Sequence, residues 1–229
     1  MDLIEAVRAR HSVRRYLDKA IETEKAEALQ HAVDEFNEQS GLSMQLCLDD
    51  PRAFSNFLAR YGSFRNVKNY LALVGPKSRE FEEKCGYYGQ KIVLLAQILG
   101  LNTCWVGLSY SKKKNVIVIK ENEKLYLVVS LGYGETQGKT SSSKAMDSLC
   151  KNVDEGPLPD WFVAAMEAAM LAPTAINHQK FLMTLQGNRV KAEALRGSYA
   201  IVDLGIVKCN FEIGADAAGA VLGSDWSWA

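Results

Sequence analysis

Charge of either sign is not in surplus in this chain: 27 lysines and arginines face 27 aspartates and glutamates, so the formal net charge is zero. A balanced chain has no global field to draw nucleic acid or an anionic membrane surface. Histidine is scarce, with three residues far apart in the sequence, which leaves no metal-binding cluster. The five cysteines include no CxxC pair and no zinc spacing. Such an odd, scattered set reads as reduced thiols in a cytoplasmic protein. The opening MDLIEAVRAR has no apolar core of signal-peptide length, and the apolar runs stop well short of a membrane span. No internal repeat and no low-complexity tract stands out.

What is present is a mixture of helical and strand periodicities. At 229 residues the chain has the length of one large domain or two small ones, and one domain over 1–229 is expected. Leu3, Ile4 and Val7 mark a short amphipathic helix. A second is expected over 23–39, with Ala28, Leu29, Ala32, Val33 and Phe36 as its stripe and Gly41 as its stop. Ser43 to Leu48 alternates like a strand, and Pro51 opens a short helix through Phe54, Phe57 and Leu58. Buried strands are expected over 70–74, 103–106 and 125–131. Between the first two lies a helix over 79–99. Its second half, Ile92 to Leu99, is apolar nearly all round, as in a helix at the centre of a fold or at a subunit interface. After Gly156-Pro157-Leu158-Pro159 come a helix over 161–171, a hairpin around Gly187-Asn188 and a helix over 203–218. With no regular βαβ period the class is α+β.

Four segments carry chemistry. In Arg10-His11-Ser12-Val13-Arg14-Arg15-Tyr16, guanidinium forks and a hydroxyl surround one point, which is what a phosphate dianion requires. The same residues also read as basic charges complementing a helix C-terminus. Ala172-Pro173-Thr174-Ala175-Ile176-Asn177-His178-Gln179 sets amides and a hydroxyl at close spacing, suited to the mixed donor and acceptor edge of a flavin or to a self-capped turn. Gly100 to Gly107 leads from the apolar helix into a strand whose closing glycine lets a flat ligand approach the backbone. Leu131-Gly132-Tyr133-Gly134 closes the next strand, and Lys139 and Lys144 follow it. Lys112-Lys113-Lys114 reads as a solvated corner.

Together these segments resemble the nitroreductase-like flavoprotein family. Its RxSxR motif matches Arg10, Ser12 and Arg14. Its APSxxNxQ motif matches Ala172, Pro173, Thr174, Asn177 and Gln179, with Thr in place of Ser. Its GLxTCW segment matches Gly100, Leu101, Thr103, Cys104 and Trp105. The order departs from the common one, because the APSxxNxQ match lies in the C-terminal third, and Lys180 stands where proline is usual. The resemblance implies a nitroreductase-like α+β fold with a central, mostly antiparallel sheet flanked by helices. It also implies a homodimer with FMN at the subunit interface. The cofactor-binding set it carries over is Arg10, His11, Ser12, Arg14, Val106, Gly107, Lys144, Pro173, Thr174, Asn177 and Gln179. Arg10 and Lys144 would hold the phosphate, Ser12 and Asn177 the ribityl chain and ring edge. The implied activity is FMN-dependent NAD(P)H oxidoreduction of nitroaromatic, quinone or similar small acceptors by ping-pong hydride transfer, with no acid–base side chain, metal, nucleic acid or membrane involved. A flavin-binding protein without turnover is the alternative.

Overall fold

The computed structural model describes residues 1–112 and 115–229, so Lys113 and Lys114 of the expected basic corner lie outside the described residues. Helix α1 (Leu3–Ala9) opens on a capping box, in which Asp2 accepts from the Glu5 N–H and Glu5 from the Asp2 N–H. It buries Ala6 and Val7, while Leu3 stays half-exposed, so the expected stripe turns by one position. Helix α2 (Thr23–Ser40) ends at Gly41, whose left-handed conformation donates its N–H to Asn37. The short helix expected from Pro51 is two pieces, a 3-10 turn over Pro51–Phe54 and α3 (Phe57–Tyr61), because Asn56 caps a new start by accepting from the Ala59 N–H.

One sheet is antiparallel throughout, in the order β1 (Gln45–Cys47), β2 (Asn69–Pro76), β4 (Glu123–Gly132), β3 (Asn102–Val106). Strands β2 and β4 are buried along most of their length, which is why both read as continuous apolar runs. Helix α4 (Arg79–Ile98) links β2 to β3. A second sheet was not foreseen. Its strands run β5 (Cys150–Asn152), β6 (Phe181–Gln186), β7 (Arg189–Ala194), β8 (Ser227–Trp228), with parallel pairs at both ends and the expected hairpin between them. The end strands have three and two residues, too short to show a period. Helices α5 (Asp160–Met170) and α6 (Ala200–Ala217) complete the chain.

The apolar half of α4 lies inside the chain. Leu94 is fully buried in a cluster with Ala6, Val7, Ala168 and Cys209, drawn from α1, α5 and α6. Of the two expected positions for this helix the structure shows the centre of the fold, so Leu94→Glu would disrupt the chain itself. Helices α4 and α6 cross backbone to backbone. A Cβ on Gly86 would stand 2.0 Å from the Val202 carbonyl oxygen, and a Cβ on Gly205 would stand 2.0 Å from that of Glu83. Beside the crossing, Gln90 donates to Asn210 at 3.0 Å, with both residues fully buried.

A methyl group has no room at this crossing, and backbone cannot swing aside as a side chain does. Gly86→Ala should therefore lower stability by at least ~1–3 kcal/mol. Gly156→Ala, at a site with nothing within 4 Å of the new carbon, should stay within about 0.5 kcal/mol. Chemical denaturation of both variants checks the contrast; equal losses would mean the crossing tolerates separation.

Candidate functional site

The segment after α1 is held on all sides by main-chain bonds. Val13 N–H donates to Thr103 O at 2.9 Å, Arg65 N–H to Arg14 O at 3.0 Å, and Glu135 N–H to Arg15 O at 2.9 Å. Tyr16, buried beneath, donates from its hydroxyl to Val13 O at 2.7 Å, and that hydroxyl lies 2.8 Å from Ser130 Oγ. The arginines thus stand on a fixed ribbon alongside the end of β3.

A cavity of about 790 Å³ opens over this ribbon, within the ~300–1,000 Å³ common for small-molecule sites. Four other stretches complete its wall: the end of β3 with Val106 and Gly107, the loop with Lys139, the turn with Pro173, Thr174 and Asn177, and the start of α6. Arg10, His11, Ser12 and Arg14 all line it. The structure therefore brings together nine of the eleven expected cofactor residues, from segments some 160 positions apart.

The two others stand outside the lining. Gln179 is buried behind the turn, where its Oε1 accepts from the Lys144 N–H at 2.7 Å and its Nε2 donates to Met170 O at 3.0 Å. Lys144 points its ammonium at Gln179 O, 3.2 Å away. Both brace the loop behind the site; of the two lysines after β4 it is Lys139 that reaches the cavity. Thr174 Oγ1 accepts from the Gln179 N–H at 3.0 Å, and Asn177 donates to Ser142 O at 2.7 Å. The self-capped turn and the lining wall are therefore one feature. Gly107 has a close neighbour of the chain's own: a Cβ there would lie 2.7 Å from the Tyr199 ring.

Arg10 is the electrostatic centre. Its side chain is almost wholly buried, and neither Nε nor Nη1 has a hydrogen-bond partner. Desolvation lowers its pKa to about 10, opposed by the nearby Cys104. It is still a cation at neutral pH. A buried, unpaired guanidinium is costly unless an anion meets it. Cys104 beside it is held neutral, since burial pushes its thiol up more than the two arginines and Ser12 draw it down.

Two cavity residues escaped the sequence reading. Tyr199 caps α6 in the left-handed region at φ 60°. Asp203, one turn on, accepts from the Ala175 N–H at 2.9 Å and so ties the turn to α6. Burial raises its carboxyl to about 7, partly offset by that N–H. The signal was a lone carboxylate inside the apolar run Ala200-Ile201-Val202-Asp203-Leu204-Gly205-Ile206-Val207. Backbone strain also gathers here: Ile176, Asn177 and Gln179 have φ of 45°, 56° and 45°, uncommon for non-glycine residues and most costly for β-branched Ile176.

A family model described as "Putative TM nitroreductase" matches residues 2–215. The chain belongs to that nitroreductase family. No curated protein matches it. Among solved structures, a nitroreductase-like protein of Thermotoga maritima superposes with a TM-score of 0.70 at 21% identity, over 96% of this chain and 87% of its own. A Desulfovibrio desulfuricans relative, solved in complex with FMN, gives 0.52 at 22% identity, over 69% of this chain and 99% of its own. One from Bacteroides thetaiotaomicron, described as an NADH dehydrogenase/NAD(P)H nitroreductase, gives 0.50 at 20%, over 64% and 95%. At these identities the likeness is one of fold, and the α+β nitroreductase fold is what it shows. Among the described residues no helix is long and apolar enough to cross a membrane, and no group of His, Cys, Asp and Glu could hold a metal ion.

Two outcomes follow for these charges. Arg10→Ala should leave the ligand-free protein as stable or more so, because it removes an unpaired buried charge. It should also weaken binding of a phosphate-bearing ligand by roughly 1.5–3 kcal/mol. Lys151→Ala, on the exposed edge strand, should change neither; titration with FMN and thermal melts check both. For Asp203 the folded pKa lies above the unfolded one. Its stability cost is absent below pH ~4, grows from there to pH ~7 and then levels off. Asp203→Asn should therefore stabilise the protein at pH 8 and leave it unchanged near pH 3, as read by denaturation at the two pH values.

Proposed function

We propose that this chain is an FMN-dependent oxidoreductase that takes electrons from NAD(P)H and passes them to a small acceptor, such as a nitroaromatic or a quinone. The observation that carries the reading is the buried, unpartnered Arg10 guanidinium on a fixed ribbon, facing a cavity large enough for a flat aromatic ligand. Family membership and the FMN complex of the Desulfovibrio relative support it. The residues fit the group. Arg10 would meet one terminal phosphate, with Lys139 on the same wall. Ser12, Thr174 and Asn177 offer hydroxyl and amide groups to the ribityl chain and ring edge. Arg14 supplies a second cation.

FMN, when bound, supplies the two-electron chemistry, alternating between donor and acceptor in one pocket. The chain's own part is binding and placement. Arg10 and Lys139 anchor the phosphate end, and the turn over 173–177 closes one side. A fixed arginine such as Arg14 stabilises negative charge that grows nearby. The ligand offsets the unpaired charge of Arg10, which makes affinity for a dianion high at this position.

A homodimer is the assembly the family resemblance implies, in the cytoplasm. Both motif segments reach the cavity within one chain, so FMN binding is expected at one per chain whatever the assembly. Light scattering with flavin absorbance decides this. A monomer holding stoichiometric FMN supports a site within one chain, whereas flavin lost on dilution in step with dissociation supports an interface site. The pigment released by heat should be FMN, since one cationic anchor suits one phosphate and no GxGxxG follows a strand for a pyrophosphate. FAD as the main species would refute the site. NADH or NADPH should bleach the bound flavin; a pigment that neither bleaches would mark a flavin-handling protein without turnover.

A further inference from the structure

The start of α6 gives the cavity a chemistry that phosphate anchoring leaves unused. Tyr199 and Asp203 stand at the start of α6, and Leu108 and Ile176 line the same cavity. Those last two are large apolar side chains, 69% and 82% exposed. Exposed apolar side chains and hydrogen-bonding groups in one cavity wall are what an aromatic compound with an oxygen substituent requires. Ile176 is held there at a left-handed φ of 45°, a strain that persists only where the surrounding structure over-determines it.

We propose that Tyr199 and Asp203 form an acceptor subsite, which binds an aromatic compound through an oxygen substituent and turns an anionic one away once Asp203 is ionised. The proposal rests on the oxidoreductase reading and names what that site admits. Asp203 uses one oxygen, Oδ2, to accept from the Ala175 N–H. In its neutral form the other oxygen can present a proton to a nitro or carbonyl oxygen. Burial raises the Tyr199 phenol, so its hydroxyl also remains a donor at neutral pH. The subsite then offers two donors and no acceptor charge. Once Asp203 ionises, it loses its donor and repels anions.

The groups around Asp203 favour this behaviour. From the 173–177 turn it meets the Ala175 N–H; on its own helix Tyr199 N-caps the turn, and Asp203 N–H donates to Tyr199 O at 2.9 Å. The end of β3 presents Val106 and Gly107, which carry no charge. Arg10, His11, Arg14, Arg15, Lys139 and Glu135 line the same cavity, yet burial and the Ala175 N–H account for the shift of its carboxyl to about 7. A group titrating there passes from about 0.9 to about 0.1 protonated between pH 6 and pH 8.

The test uses the FMN-loaded protein without an electron donor. Binding of 4-nitrobenzyl alcohol and of 4-nitrobenzoate is read from the change each causes in the visible absorption of the bound flavin. Wild-type affinity for the alcohol should fall about tenfold from pH 6 to pH 8, following the protonated fraction. Nitrobenzoate should lose more affinity than the alcohol from pH 6 to pH 8, because ionised Asp203 also repels its carboxylate. Asp203→Asn keeps an acceptor for Ala175 and a donor for the ligand, so it should bind the alcohol with its pH 6 affinity at both values. Tyr199→Phe should bind it about fivefold to tenfold more weakly at both, with the pH dependence intact. A wild-type affinity that is flat between pH 6 and pH 8, or an Asn variant that keeps the slope, overturns the subsite while leaving the flavin reading in place. Failure of the wild type to take up FMN overturns the oxidoreductase reading and the subsite with it.

Discussion

The contact on which the rest depends is the crossing of α4 and α6 at Gly86 and Gly205. Two helices can bring their backbones this close only where neither carries a side chain, and both glycines are spent on it. The crossing has a reciprocal geometry. Gly86 faces the carbonyl of Val202, three residues before Gly205, and Gly205 faces the carbonyl of Glu83, three residues before Gly86. The contact sets how far α6 reaches toward the antiparallel sheet. That reach delivers Tyr199 against Gly107 and Asp203 against the turn after α5. A looser crossing would withdraw one wall of the cavity.

The same reciprocity runs through the order of elements. Helix α2, β1, β2, α4 and β3 form one succession, interrupted by the short helices over 51–61; α5, β6, β7, α6 and β8 form another. In each, a long helix turns directly into the first strand of an antiparallel pair. The turn after α2 is Gly41-Leu42-Ser43, and the turn after α5 carries Pro173, Thr174 and Asn177. The unusual motif order of this chain then has a structural explanation. The second succession, not the first, supplies the turn that faces the arginine ribbon. The first turn is spent on helix capping and packing, with Leu42 and Met44 in the core. The likeness of the two successions is one of element order alone, which leaves no repeat in the sequence.

Much of the fold was legible where burial follows periodicity. Helices α2, α4 and α5 begin and end within a residue or two of expectation, because Gly41 and Gly100 stop the first two and Pro159 and Pro173 bracket the third. The second sheet was not legible, since β5 and β8 are too short to alternate and are defined only by their partners. In the site, motif residues facing one another across the cavity were found because their types announce anion and amide chemistry. Gln179 and Lys144 carried the right types but serve the loop behind, where the main-chain groups of residues 144 and 170 claim the amide. Tyr199 and Asp203 were missed because they sit on a helix turn that reads as core. Only the close crossing of two helices far apart in sequence turns that face into a wall.

The cavity gathers features that each cost stability. It holds an unpaired guanidinium, a carboxyl that burial favours in its neutral form, and left-handed non-glycine residues at 176, 177 and 199. These costs are carried by different elements of one pocket. The cation lies on the ribbon after α1, fixed by bonds from β3 and from residues 65 and 135, while the buried carboxyl lies on α6. A ligand in the pocket would meet a cation that negative charge relieves and a carboxyl that an oxygen lone pair relieves while it is protonated. That division favours an anchored phosphate-bearing group against the ribbon and an exchangeable molecule against α6, and it is set by which helix or strand carries each residue.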